Sequence, residues 1–258
     1  METRSPLPSS APSLFPSSSS EGGDFDPALP QNYTGSFGLQ IVSDLFLEID
    51  NSYNEHVINP QGPFLALLGN IGRVGNMCRI GRPSPIYSEF AKFLFRQLTQ
   101  FRVVFFVARS HESHTGTWAE TVAFFRVFRA VARQRRKQGE DLGDFVFLDR
   151  THYNFDKMDF HVDGKGHKVT VLGCTLFSFI PEQLAAKATA EVVDFRKIQR
   201  WSVKEHNDAH LRDVQWLNGM VDGLEDTTRR TIVLTHFCPM LNPAAVHLFE
   251  FGRVNRRG

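Results

Sequence analysis

Leu39-Gln40-Ile41-Val42-Ser43-Asp44-Leu45-Phe46-Leu47-Glu48 is an apolar run that breaks at Ser-Asp. Its brevity and the β-branched pair Ile41 and Val42 predict a buried strand rather than a helix. In an α/β sheet, the crevice beyond the carboxyl ends of the strands is where chemistry collects. Three later segments repeat the arrangement. Phe64 to Leu68 runs into Gly69-Asn70, Val103 to Val107 into Arg109-Ser110-His111-Glu112, and Thr231 to Leu234 into Thr235-His236-Phe237. The pattern predicts an α/β fold with Asp44, Asn70, His111 and His236 along one sheet edge, and with Ile41 and Val42 buried.

Working outward, 258 residues bound one domain of moderate size with a tail. The 24 phenylalanines say what fills its core. Residues 1–36 are Ser- and Pro-rich, too poor in apolar surface to offset chain entropy, and are expected to be disordered. The domain then spans 37–258. Met1-Glu2-Thr3-Arg4 leads into no apolar region, so no secretory signal is read. A net charge of +1 supplies no field to gather nucleic acid or an anionic membrane. Val103 to Ala108, the longest apolar stretch, is too short to span a bilayer. Cys78, Cys174 and Cys238 are too scattered for a disulfide framework, which fits a reducing, cytoplasmic setting.

Three helices are predicted. Ser88 to Leu98 places Phe90, Phe93, Leu94, Gln97 and Leu98 at helical spacing, and Trp118 to Arg136 does the same with Val122, Phe125 and Phe128. Asp208 to Leu224 carries Leu211, Val214, Leu217, Val221 and Leu224 on one stripe. Phe145 to Leu148, Phe160 to Val162 and Val169 to Leu172 read as strands, with Asp163-Gly164-Lys165-Gly166 as a turn. The cations Arg133 to Lys137 suit a helix C-terminus and read as a solvated end, not a nucleic-acid patch. His206 and His210 have a spacing that can hold a metal, but with no adjacent Glu they read as a solvated face. Gly69 to Asn76 lacks the Gly-Lys-Ser/Thr ending of a phosphate loop.

The four loops, in this order and at strand ends, resemble the calcineurin-like metallophosphoesterases in their single-domain branch. That family reads Asp-x-His, Gly-Asp, Gly-Asn-His-Glu, a His after an apolar strand, and a closing Gly-His-x-His. Phe147-Leu148-Asp149-Arg150 and Thr170 to Phe177 resemble it too, so the likeness runs from about Gly38 onward. It implies an α/β/β/α sandwich, a pair of divalent metals (Mn, Fe or Zn) and metal-dependent hydrolysis of a phosphoester. The implied partner is a phosphoester substrate or phosphate ligand. By the same resemblance, Asp44, Asn70 and His236 stand at metal-ligand positions, and His111 stands where the family's histidine assists the leaving group.

The departures fall on those ligands. Phe46 and Ser110 occupy lost ligand positions, Asn70 stands where a bridging aspartate belongs, and Arg109 brings a cation beside the metal position. No His-x-His follows Pro239, so the last strands of the sandwich are expected to be missing. The resemblance with these losses implies a family member of impaired or absent activity. Two other readings stay open: a one-metal hydrolase using Asp44, Asn70, His111 and His236, and a non-catalytic module that binds a phosphorylated partner through Arg109.

Overall fold

The computed structural model describes residues 37–74, 85–162, 165–223 and 229–239. The predicted tail, the Asp163-Gly164 turn, Cys78, Leu224 and the segment after Pro239 lie outside them. Four strands, β1 (Leu39–Val42), β2 (Phe64–Leu68), β3 (Val103–Val107) and β4 (Asp144–Phe147), form a parallel sheet in sequence order. A second sheet holds β5 (Thr151–Val162), β6 (Lys165–Cys174) and β7 (Arg229–Thr235); β5 and β6 are antiparallel, β6 and β7 parallel.

The alternation of side chains along a strand sets the layers. On β2 and β3, Leu65, Leu67, Val104 and Phe106 join the core beneath α1 (Glu89–Leu98) and α2 (Trp118–Lys137). Phe64, Ala66, Val103, Phe105 and Val107 point the other way, onto Tyr153, Phe155, Val169, Val171 and Leu234 of the second sheet. With both faces covered, every residue of β3 is buried, as a central parallel strand requires. Between β6 and β7 the chain forms α3 (Glu182–Glu191), α4 (Asp194–Lys197) and α5 (Val203–Asp222). The result is the α/β/β/α sandwich expected from the sequence. No helix among the described residues is long and apolar enough to cross a membrane.

Four expectations need correction. His236 follows β7 of the second sheet, whereas Asp44, Asn70 and His111 follow β1, β2 and β3 of the first, so the four loops lie at the ends of two packed sheets and not along one sheet edge. β1 is an outer strand, and an outer strand lacks the cover its neighbours receive. Ile41 is 58% exposed and Val42 only half-buried, the latter packed against the core beneath the helices. The predicted stripe on the last helix is wrong as well. α5 starts at Val203, and its buried residues are His206, Ala209 and Asp213, while Leu211 and Val221 are exposed. The signal for the earlier start is Ser202-Val-Lys-Glu205, a reciprocal cap in which each side chain meets the other residue's backbone N–H region. His206 is not on a solvated face either. It is buried, with its Nε2 at 2.7 Å from the Ser178 carbonyl, and His210 meets the Phe177 carbonyl through Nδ1.

Candidate active site

The loops after β1 and β2 are laced together before any side chain is considered. Asp44 N–H donates to the Gly69 carbonyl at 3.1 Å, Phe46 N–H to Asn70 at 2.8 Å, and Leu47 N–H to Ile71 at 3.1 Å. These bonds hold Asp44, Phe46 and Asn70 at φ of 57°, 51° and 53°. Asp and Asn tolerate that left-handed region; Phe46 does not, and such strain costs about 1–3 kcal/mol and gathers at functional sites. Gly69, at φ +79°, is needed for a second reason. A Cβ there would lie 2.7 Å from His236 Nδ1 and 2.9 Å from the Arg109 Cβ.

Three of the four sequence-predicted residues meet directly around this turn. Asn70 Nδ2 donates to Asp44 Oδ1 at 2.6 Å. His236, at the end of β7, puts Nδ1 at 2.6 Å from the Leu68 carbonyl. A carbonyl only accepts, so the proton sits on Nδ1 and the lone pair of a neutral ring is on Nε2. Burial lowers the pKa of His236, and the charge of Arg109 adds to that effect. Burial works against the charge of Asp44, but hydrogen bonds from Ser43 and Asn70 and the charges of His236 and Arg109 prevail, so its pKa is lowered.

His111 stands beside this trio rather than within it. Its Nδ1 lies 3.2 Å from Glu48 Oε1, and its ring meets the Phe46 ring edge-on at 4.9 Å and the His114 ring at 4.2 Å. His114 in turn places Nε2 at 3.0 Å from Asp194 Oδ1. Burial raises both Glu48 and Asp194, yet each ends below its ordinary pKa, held there chiefly by the hydrogen bond from its histidine. Ser110 is buried, and its side chain acts with His114 to lower the pKa of Asp194.

Glu112 builds the loop that carries these groups. Fully buried, its carboxylate accepts Ile71 N–H and Arg109 N–H, both at 2.8 Å, so it ties the loop after β3 to the loop after β2. Burial raises its pKa to about 7, against the pull of those backbone donors.

Sequence reasoning missed three members of the site. Glu48 lies in the opening stretch, four residues past Asp44, and was quoted without a role. His114 follows His111 by three residues, a spacing that turns both toward one side of a short helical turn (Ser110–Ser113). Asp194 carries no local signal, because α4 reaches the site only through the tertiary fold.

A metal centre was tested against these residues. Asp44 is the one acid of the trio, and the amide of Asn70 turns its NH2 group, not its oxygen, toward that acid. Phe46 offers no donor, and Arg109 adds a positive charge. Among the described residues no three His, Cys, Asp or Glu side chains gather closely enough to hold a metal ion. The residues present do not fit a pair of metals.

No family model and no curated protein matches this chain. A solved structure does: the crystal structure of phosphopantetheinyl hydrolase (PptH) from Mycobacterium tuberculosis is similar with a TM-score of 0.50 at 16% identity. The match covers 83% of this chain and 73% of that one. At this identity the likeness shows the fold alone, an α/β/β/α sandwich. The expected membership in the calcineurin-like metallophosphoesterases is thereby corrected. No family model supports it, and the structural likeness runs to a phosphopantetheinyl hydrolase instead. Polar loops at the carboxyl ends of parallel strands are common to α/β sheets, so four of them with altered ligands do not single out a family.

Proposed function

We propose that residues 37–258 form a phosphoester-hydrolase-type domain whose hydrolytic activity is severely impaired or absent. One observation carries the reading. At the position where two metals would need a shared carboxylate, Asn70 donates an amide N–H to Asp44 at 2.6 Å. An amide brings no negative charge to hold two mutually repelling cations. Without metal ions, a phosphoester would approach Asp44 and Glu48, both held ionised by their partners, with the charge of Arg109 already set against Asp44 and Asp194. Like charge then opposes binding and the transition state alike. His111, held by Glu48, is the group left to move a proton at a leaving oxygen.

Because the similar structure is that of a phosphopantetheinyl hydrolase, the class of ester to try first is a phosphopantetheine phosphoester, with an aryl phosphate as the generic probe. Purified chain should hydrolyse neither above the uncatalysed rate in the presence of Mn, Fe or Zn. Turnover that rises with one of these metals and is abolished by a chelator would overturn the reading. It would support a second one, a one-metal hydrolase on Asp44, Asn70, His111 and His236. That alternative is favoured by the outward lone pair of His236 Nε2 and by Asn70 Oδ1, which is buried without a partner among the described residues. A cytoplasmic setting fits either reading.

A further inference from the structure

The carboxylates of this edge are not left without a counter-charge. Arg109 leaves the end of β3 at the centre of the loops. Its Cβ abuts the Gly69 turn beside His236, and its Cζ lies 5.1 Å over the Phe237 ring. Its Nε is buried and has no partner among the described residues. The positive charge is felt on both sides of the site, by Asp44 from β1 and by Asp194 from α4, and it also acts on His236. A guanidinium stays charged at any working pH and is weakly hydrated, so it tolerates a partly buried seat against an aromatic face.

We infer that Arg109 is a resident cation that takes over the charge role of a metal at this edge, so that the folded site excludes divalent ions. Asp44 and Asp194 each have their charge offset from within the chain by Arg109. A divalent ion placed at Asp44 and His236 Nε2 would face an adjacent fixed positive charge in a partly desolvated site. Repulsion there is several times stronger than in water. Arg109 thus adds a barrier of charge to the loss of donors at Phe46 and Asn70. The inference rests on reading this edge as the phosphoester site, but its test uses Mn2+ alone and no substrate, so it stands or falls separately from the activity assay.

The experiment is Mn2+ titration by calorimetry on the full chain after chelation and dialysis, for wild type, Arg109→Met and Arg109→Lys. Arg109→Met keeps the bulk and removes the charge, and it should bind Mn2+ about tenfold more tightly than wild type or better. Arg109→Lys, which keeps the charge, should behave as wild type. Equal Mn2+ affinity in wild type and Arg109→Met would overturn the proposal. So would a gain in Arg109→Lys equal to that in Arg109→Met, because that would implicate shape rather than charge. A measurement on wild type alone guards against a misfolded variant. Its Tm should be the same in chelator and in excess Mn2+, since an ion that does not bind the folded state cannot stabilise it. A clear rise in Tm with Mn2+ would overturn the proposal without any variant.

Discussion

Two helices of equal length, α2 and α5, bury stripes of the same geometry and opposite chemistry. Each spans 20 residues and opens on a reciprocal cap, Thr117 with Glu120 and Ser202 with Glu205. The buried stripe of α2 includes Phe124, Phe125 and Phe128, while that of α5 is His206, Ala209 and Asp213. The difference follows from what each helix faces. α2 lies on the apolar face of a parallel sheet, whose backbone groups are already paired within the ladder. α5 lies along the segment that leaves β6, where N–H and carbonyl groups have no ladder and need partners. Asp213 accepts Leu176 N–H at 2.8 Å and Arg150 at 2.6 Å, and His206 meets the Ser178 carbonyl. A buried stripe is a matter of geometry; the neighbour decides whether it is greasy or polar.

The largest expected effect is on α5. Asp213→Ala strips a fully buried acceptor, leaves Leu176 N–H unpaired and leaves Arg150 to Asp149 alone, and should cost about 4 kcal/mol in urea unfolding. A loss below about 1 kcal/mol would mean that water replaces the carboxylate and that the polar stripe is not structural. On α2, Phe125→Ala should cost about 3 kcal/mol, because the ring packs on Phe106 and Phe147 with centroids 4.3 and 4.9 Å away.

Glu112 sharpens the same contrast through pH, since it too is a buried carboxyl facing backbone donors. Its folded pKa of about 7 lies above the ordinary 4.5. The folded chain therefore holds this proton more tightly than the unfolded one. The stability so gained is full at about pH 4.5 and below, and is lost as pH rises to about 7. The stability of wild type relative to Glu112→Gln should fall by about 2 kcal/mol between about pH 4.5 and pH 7.5. A flat difference across that window would show that the carboxyl is ionised throughout. The smallest effect belongs to the exposed face of α5. Leu211→Gln should change stability by no more than about 0.5 kcal/mol, whereas a loss like that of Phe125→Ala would restore the stripe read from the sequence.

The sequence made the first sheet legible because its strands are short, mostly apolar and closed by polar loops. β2, β3 and the Ser88 helix lie where the pattern put them, with Phe90, Phe93, Leu94, Gln97 and Leu98 all buried. Asp44 and Asn70 were found because neighbouring strand ends in the first sheet bring their loops together, and His236 because β7 of the second sheet, packed on the first, ends beside them. Ile41 was misjudged because an apolar pattern carries no information on whether a strand is central or outermost. His206 and Asp213 escaped for the reason already met in α5, that polar side chains satisfied by backbone groups look solvated in a sequence. Asp194 and Glu48 were silent because their partners, His114 and His111, are distant in the chain, and only the fold pairs them.

The order of strands in the first sheet has a consequence for how this protein is made. β1, β2, β3 and β4 are neighbours in space as they are in sequence, so each can dock on its predecessor as it leaves the ribosome. The second sheet differs. β7 pairs in parallel with β6 after a detour through α3, α4 and α5, and it alone delivers His236 to the Leu68 carbonyl. A nascent chain that has completed the first sheet already holds Asp44 against Asn70, and then waits for β5, β6, three helices and β7 before the third member arrives. During that interval the inner face of β2 and β3, with Phe64 and Phe105 on it, has no finished second sheet to cover it. That face is where a chaperone would find this chain, and its release would coincide with the assembly of the site.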